Sequence, residues 1–342
     1  MKKYIVPLTC MLAPIGIASA SADYITDFYN GNYHKATISL EELVSQHDKQ
    51  AMYYLGKIYL SGYGGAKKYK HGFDLITESG NLGYEPAQVY LAKHYLNLKK
   101  GAPQALAWFQ KAADKGNVES QLYCGYAYLN GYGVAKNKEQ AIFWLEKAAQ
   151  NKAPKAQYEL ASLYLKSNDE TKRLDALQWL EKAAASGDKQ SQYTLGKIYS
   201  TGEFVQQDNA AAIKWMENAI TGKTASAIAN KAKIDLAMLY LITHSSEVNS
   251  QKAISWLTEA ANTGDAESQY NLGRLYEGNL GIKPDLNKAY DWYLKSANQN
   301  NKKSQQALAQ LLLNKNNQGN HSPQSAPSGR FAVVKLLERK FL

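Results

Sequence analysis

The sequence predicts an all-α fold in which antiparallel helix pairs stack one after another as a solenoid. Two phrases of sequence recur along the chain, and both have the apolar spacing of an α-helix. Glycine-rich turns separate them. The 342 residues are 45% apolar and 11% aromatic, which is enough for a core and excludes wholesale disorder. Because a single helix pair of this size could not stand alone, we expect one elongated array rather than two ordinary domains.

Residues 1–22 have the features of an export signal. Lys2 and Lys3 precede a short apolar stretch, and Ala20-Ser21-Ala22 fits the small-x-small cleavage pattern. The stretch is shorter than the about 20 apolar residues of a membrane helix, and no later segment reaches that length. We therefore expect a soluble mature protein, periplasmic or secreted and without membrane insertion. The alternative is a lipoprotein cleaved at Cys10, which the residues before Cys10 fit poorly.

Cysteine and charge exclude other classes of protein. Cleavage after residue 22 would remove Cys10 and leave Cys124 alone, so no internal disulfide is expected in the mature chain. Cys124 fills an apolar slot of a predicted helix and is interpreted as a small buried hydrophobe. The formal net charge is +10 at pH 7, but much of the excess lies in residues 315–342. The body is only mildly basic, so nucleic acid is not expected as a partner.

The first helix of each pair carries the phrase Ala/Ser-x-x-x-Leu-Gly/Ala-x-x-Tyr. Its copies begin at Ala51, Ala87, Ser120, Ala156, Ser191, Ala232 and Ser268, and a half copy begins at Ser304. The small residue after the Leu slot would let a neighbouring helix approach closely. It is Gly56, Gly125, Gly196 and Gly273 in one set of repeats and Ala92, Ala161 and Ala237 in the other. The two sets alternate, and only the first has glycine-rich turns, which indicates a period of two repeats.

The second helix contains all six tryptophans of the chain, in the phrase Ala-x-x-Trp-x-x-x-Ala/Ser-Ala/Ile. They are Trp108, Trp144, Trp179, Trp215, Trp256 and Trp292. Around Trp144, the residues Ala141, Leu145, Ala148 and Ala149 complete one apolar stripe. We expect stacking to bury the tryptophans and the phrase tyrosines in a continuous core. The longest step between tryptophans predicts an insertion, interpreted as a lengthened connection, around residues 221–231.

These phrases and turns resemble the Sel1-like repeat family, a relative of the tetratricopeptide repeat. The clearest repeat runs from Ser120 to Asn151 and contains Leu-Asn-Gly-Tyr-Gly-Val and Ala-Ile-Phe-Trp-Leu-Glu-Lys-Ala-Ala. The resemblance predicts a degenerate helix pair at 23–50, seven repeats at 51–303 and a closing helix at 304–314. It implies a right-handed superhelical scaffold that binds a protein or peptide, as exported bacterial members do in envelope biogenesis, exopolysaccharide control and host-cell entry. It does not imply an enzyme.

Residues 315–342 differ from the repeats in composition. Residues 315–329 are rich in Asn, Gln, Ser, Pro and Gly and are predicted as a flexible linker. Residues 330–342 are basic, and Phe331, Val334, Leu337 and Phe341 would share one helical face. This tail could cap the last repeat, dock on a partner or membrane surface, or stay disordered. The cap is the favoured interpretation because terminal repeats need covering.

A candidate binding surface follows from the rotation of the first helix, about 100° per residue. The third and seventh positions of each phrase lie opposite the core stripe, on the side that the resemblance places toward the concave groove. The aromatic and basic residues there are Tyr53, Lys57, Lys93, Tyr126, Tyr158, Tyr193, Lys197, Tyr270 and Arg274. Such a groove would suit an extended or helical protein segment with acidic groups. One alternative is that these residues belong to the core packing or to ordinary solvated surface. Another is that the ligand is an acidic polysaccharide or a peptidoglycan fragment.

No catalytic site is apparent in the sequence. The six histidines are scattered singly, without the spacing of metal ligands. Phosphate-loop and nucleophile-elbow phrases are missing, and the glycine-rich turns follow no strand. We therefore predict no catalytic residue, no metal and no cofactor, and a monomer that binds its partner without chemistry.

Overall fold

A computed structural model of the chain describes residues 23–63, 65–222, 226–243, 247–278 and 283–318. Every regular element within these ranges is a helix, which confirms the predicted all-α class. The helices are α1 (23–29), α2 (Tyr33–Ser45), α3 (Lys49–Ser61), α4 (Tyr69–Asn81), α5 (Glu85–Leu96), α6 (Ala102–Ala113), α7 (Val118–Asn130), α8 (Lys138–Gln150), α9 (Pro154–Leu165), α10 (Glu170–Ala185), α11 (Lys189–Thr201), α12 (Asn209–Ile220), α13 (Ala227–Thr243), α14 (Glu247–Asn262), α15 (Ala266–Tyr276), α16 (Leu286–Ala297) and α17 (Lys302–Gln318). Odd-numbered helices are the first helices of the repeats, and even-numbered helices are the second.

The chain divides into two compact bodies, one ending at Ala156 and the other beginning at Gln157. In the N-terminal body each helix from α2 to α7 packs against the next along the chain. In the C-terminal body the same is true of each helix from α10 to α16. Because the connections are short, consecutive helices run antiparallel. The predicted solenoid of stacked helix pairs is therefore confirmed as the fold class.

The four repeats with glycine after the Leu slot, here called the glycine set, have a common pattern of helix caps, and the three with alanine there are called the alanine set. The first helices α3, α7, α11 and α15 each begin at an Asp or Asn whose side chain accepts a backbone N–H of the first turn. These cap residues are Asp48, Asn117, Asp188 and Asp265 respectively. Three of these helices end at a left-handed glycine, namely Gly62, Gly131 and Gly202. Helix α5 of the alanine set lacks both features. Helix α13 of the same set does begin at a side-chain cap, because the Ser226 hydroxyl accepts the Ala229 N–H at 3.1 Å, so the alternation in sequence corresponds only in part to a difference in caps.

The glycine slot brings the two helices of a repeat close together, as predicted. A Cβ added at Gly56 would lie 2.7 Å from the carbonyl oxygen of Gly72 in α4. A Cβ at Gly125 would lie 2.7 Å from the Leu145 side chain in α8. Distances this short leave no room for a side chain, so glycine is required by the closeness of the neighbouring helix.

The tryptophans are less buried than predicted. Trp144 is 5% exposed and packs among Phe109 and Cys124, whereas the other five are half-buried. A lysine three residues later covers the outer ring face in several repeats. The ammonium-to-centroid distances are 3.9 Å for Lys111 on Trp108, 4.2 Å for Lys182 on Trp179 and 4.0 Å for Lys295 on Trp292. Continuous burial was therefore wrong for these rings, because the long lysine stem replaces a neighbouring helix as their outer cover.

A buried glutamine links successive repeats, and sequence analysis missed it. The residue after the first Ala or Ser of the phrase donates from Nε2 to a carbonyl at the end of the preceding second helix. The pairs are Gln88 with Gly80, Gln121 with Ala113, Gln192 with Ala184 and Gln269 with Ala261, at 2.9–3.2 Å. Each of these helix-end carbonyls also accepts a backbone N–H from the following turn, so the glutamine is its second donor and ties the end of one repeat to the start of the next.

Two boundaries differ from the predicted ones. Helix α13 begins at Ala227, five residues before its phrase, where the other first helices begin two residues before theirs. Part of the insertion is therefore helix rather than connection. Helix α17 runs to Gln318, so the first residues of the predicted linker are helical. The predicted signal at 1–22, with Cys10, and residues 319–342 lie outside the described residues. Within the described part, no helix is long and apolar enough to cross a membrane.

Candidate binding surface on the first helices

All nine predicted surface residues are at least partly accessible. Lys93 is exposed, and the other eight are half-buried on α3, α7, α9, α11 and α15. Full burial would have ruled out a binding surface, so the structure leaves this hypothesis open to experiment. Binding by these residues stays a prediction. The surface is described separately for each body.

In the N-terminal body, aromatic side chains from α1, α3 and α5 meet. We call this cluster the aromatic patch and define it as Phe28, Tyr29, Tyr53, Tyr54, Tyr84 and Tyr90. The Phe28 and Tyr54 ring centroids are 4.9 Å apart, and Tyr53 lies 5.5 Å from Tyr84 and 6.3 Å from Tyr90. Tyr54 is 8% exposed, whereas Tyr29 is 72% exposed. The patch therefore has a buried base and an open aromatic rim.

Two predicted lysines in this body differ in their surroundings. The Lys57 ammonium lies 5.3 Å from the Phe28 ring centroid and 5.5 Å from that of Tyr53. The Lys93 ammonium instead forms an ion pair with Glu119 at 2.9 Å. Glu119 lies in the first turn of α7, the next first helix along the chain. Lys93 is thus already paired within the protein, and its charge is less available to a ligand.

In the C-terminal body two of the predicted residues contact the next first helix along the chain. The Tyr193 hydroxyl donates to Asp235 at 2.8 Å, and the Lys197 ammonium lies 3.4 Å from the same carboxylate. Arg274 lies 5.9 Å from the Tyr270 ring centroid. Because Asp235 belongs to α13, the two α11 residues hold neighbouring repeats together as well as facing solvent. Tyr193 and Lys197 therefore make contacts within the protein as well as being partly accessible to a ligand.

Sequence analysis missed several members of the aromatic patch. Tyr54 and Tyr90 occupy the phrase position directly after the one chosen. Including the fourth position of each phrase in the candidate surface would have found them. Phe28 and Tyr29 belong to α1, which has no recognisable phrase, so no register was available to place them. Only the packing of α1 against α3 reveals that their rings join the same cluster.

Burial of the patch predicts an unusual alkaline titration. Desolvation raises the pKa of Tyr53 to about 12, and it also raises the pKa of Tyr54, Tyr84 and Tyr90. Tyr24, whose ring lies 6.0 Å from that of Tyr54, is buried beside the patch, and its pKa is likewise raised to about 12. In the unfolded chain these phenols titrate near pH ~10. The neutral phenols therefore stabilise the folded state fully below pH ~10, and this contribution is lost as pH rises toward 12.

The measurement is tyrosinate absorbance against pH, with the denatured chain as control. We expect part of the absorbance change in the folded protein to be delayed to about pH 12, or to coincide with unfolding. In denaturant the whole change should occur near pH ~10. A single transition near that pH in the folded protein would show that the patch is open to water.

The part of the chain that the structure describes offers no cluster of three or more His, Cys, Asp or Glu side chains that could hold a metal ion. Cys124 is a free, buried thiol. The polar contacts of the first helices are ion pairs and hydrogen bonds between neighbours, as described above. The geometry of this surface is thus that of a packing and contact surface.

The sequence model of the Sel1 repeat matches the chain at residues 49–84, 86–117, 118–152, 154–188, 189–222, 231–265 and 266–301. These segments make up more than half of the chain. The chain therefore belongs to the Sel1 repeat family, as its two phrases predicted. Proteins of this family generally mediate protein–protein interactions as scaffolds, typically without catalysis.

Solved structures agree on the fold. The chain is similar to a Sel1 repeat protein from Oxalobacter formigenes, with 24% identity, a TM-score of 0.63, and coverage of 86% of this chain and 88% of the other. It is also similar to a protective antigen of uropathogenic Escherichia coli that displays an SLR fold, with 22% identity, a TM-score of 0.57, and coverage of 86% and 72%. No curated protein matches. At these identities the likeness concerns the fold alone.

Proposed function

We propose that this protein is an exported, non-enzymatic scaffold that binds a protein partner through its first helices, in envelope biogenesis or host interaction. The observation that carries the proposal is the aromatic patch, in which the exposed Tyr29 ring stands beside the buried Tyr54 and Phe28 rings. Residues 1–22 support export, to the periplasm or beyond the cell. The protein would bind as a monomer, without membrane insertion and without nucleic acid.

A protein segment suits this surface for two physical reasons. Tyrosine rings offer a large contact area with few rotatable bonds, so little side-chain entropy is lost when they are covered. All six rings of the patch already contact at least one other ring of the patch, so less ordering is needed when a ligand covers them. Tyrosine is also one of the residues that are enriched at binding hot spots.

The test is site-specific photo-crosslinking with the full chain in the exported fraction. A photoreactive phenylalanine analogue at Tyr29 is expected to crosslink one discrete protein. The matched control is the same analogue at Tyr132, which is 54% exposed in the turn between α7 and α8. Equal products at both positions, or none at Tyr29, would contradict the proposal. Binding of purified protein to isolated cell-wall polysaccharide would instead support the polysaccharide alternative.

A further inference from the structure

We propose that the aromatic patch recognises an acidic protein segment, and that Lys57 is the residue that receives its carboxylate. The apolar side chain next to that carboxylate would lie on Tyr29 and Tyr53. This inference rests on the proposed function. It adds the chemistry of the ligand and the residue that binds the ligand's carboxylate.

Lys57 is held in place by its aromatic neighbours. Its ammonium lies over both the Phe28 and the Tyr53 ring, 5.3 Å and 5.5 Å from their centroids. The side chain is half-buried, so its stem is packed while the charged end still reaches the surface. A cation fixed in this way loses less conformational entropy when it meets an anion than a free surface lysine does. The rings orient the charge but do not neutralise it.

The charge of Lys57 is left for a ligand. Among the described residues, no carboxylate oxygen lies within 4.0 Å of its ammonium. The nearby Asp27 is already paired with Lys35 at 3.0 Å. The sequence explains the difference from Lys93, because the residue before the next phrase is Glu119 after Lys93 but Pro86 after Lys57. A proline cannot supply the internal carboxylate that Lys93 receives.

The surroundings favour a carboxylate over a phosphate. A single ammonium is a point charge, whereas phosphate is usually bound by several donors or by the fork of an arginine. Phe28 and Tyr53 provide flat apolar surface next to that charge, and the Tyr29 ring packs edge-on against Phe28. Together they match an Asp or Glu side chain that is followed or preceded by a ring, such as proline or an aromatic residue.

The experiment selects peptides on the full chain from a random phage-displayed library and measures them as synthetic fluorescein-labelled peptides. Affinity is compared for the native protein, Lys57→Gln and the matched control Lys93→Gln. We expect Lys57→Gln to weaken binding by at least about tenfold. Lys93→Gln should change it by less than about twofold, since that lysine is exposed and ion-paired. Replacing the peptide's acid by its amide should weaken binding to the native protein about tenfold and cause no further loss in Lys57→Gln.

Thermal unfolding checks that the variant is folded. Should Lys57→Gln unfold at lower temperature, Lys57→Met keeps the hydrocarbon stem between the rings and removes only the charge. Equal losses in Lys57→Gln and Lys93→Gln, or a selection that yields no peptide dependent on Lys57, would overturn the inference. Tyr29→Ala separates the two proposals. If it abolishes binding while Lys57→Gln does not, the surface is correct and the acidic ligand is wrong; if neither matters, both fail.

Discussion

Replacing Trp144 by alanine is expected to destabilise the N-terminal body by about 3–5 kcal/mol. Trp144 is buried in the cluster formed by α5 to α8, where Phe109, Leu106 and Cys124 surround it. Removing the indole would leave a cavity that two rigid helix pairs cannot close. Urea unfolding measures the loss, and hydrogen exchange should locate it in α6, α7 and α8, because a repeat contacts only its neighbours.

The adjacent Phe143 supplies the control. It lies in the same helix and is also aromatic, but it is 43% exposed and lies outside the buried cluster. Phe143→Ala should therefore cost less than about 1 kcal/mol. Similar losses for the two variants would mean that helix propensity, and not the buried indole, stabilises α8. The tryptophan register would then have no role in holding the repeats together.

The fold was predictable because its signals are local and repeated. Tryptophan and the small residue recur at the same phrase positions, as at Trp144 and Gly125, and each indicates a contact within one helix pair or between adjacent ones. The small slot at Gly125 could be interpreted without coordinates, since a missing side chain on a core helix predicts a close neighbour. Periodicity could not reveal how much of each ring is covered. Lys111 and Lys182 cover Trp108 and Trp179 in place of a helix, and lysine on a helix is ordinarily solvated.

The candidate site was only half predictable, for a different reason. Helical rotation places Lys57, Lys93 and Lys197 on one side of their helices, but it treats them as equivalent. They differ in whether their charge is paired, because the partner carboxylate comes from the next repeat. Lys93 pairs with Glu119 and Lys197 with Asp235. These partners occupy different phrase positions, so no single spacing rule finds both. Helix α1 was out of reach because it carries no phrase, although it contributes the most exposed ring of the patch.

Cys124 is expected to react with a maleimide at pH 8 at least about a thousandfold more slowly in the folded protein than in the unfolded chain. The thiol is fully buried in α7. Burial, with a smaller contribution from Asp114, raises its pKa to about 12. In the unfolded chain the pKa is about 8.5. The neutral thiol thus stabilises the fold fully below pH ~8.5, and this contribution falls as pH rises toward 12.

Mass spectrometry of the peptide that contains Cys124 measures the rate independently of any other thiol. The denatured chain is the reference. A folded-state rate close to that reference would show that α7 is open and that the cluster around Cys124 is not packed as described. Slow labelling, in contrast, must proceed through transient opening of α7, because the maleimide reacts with the thiolate and needs direct access to it.

The labelling rate of Cys124 also measures how much Trp144, in the same buried cluster, stabilises α7. If opening is fast relative to labelling, the rate follows the opening equilibrium, and each 1.4 kcal/mol is about a tenfold change. Trp144→Ala should accordingly speed labelling of Cys124 by about two orders of magnitude or more, and Phe143→Ala by less than about tenfold. A large loss of stability in urea without faster labelling would place the opening elsewhere in the N-terminal body. In that case Trp144 would not be what keeps α7 closed on α8.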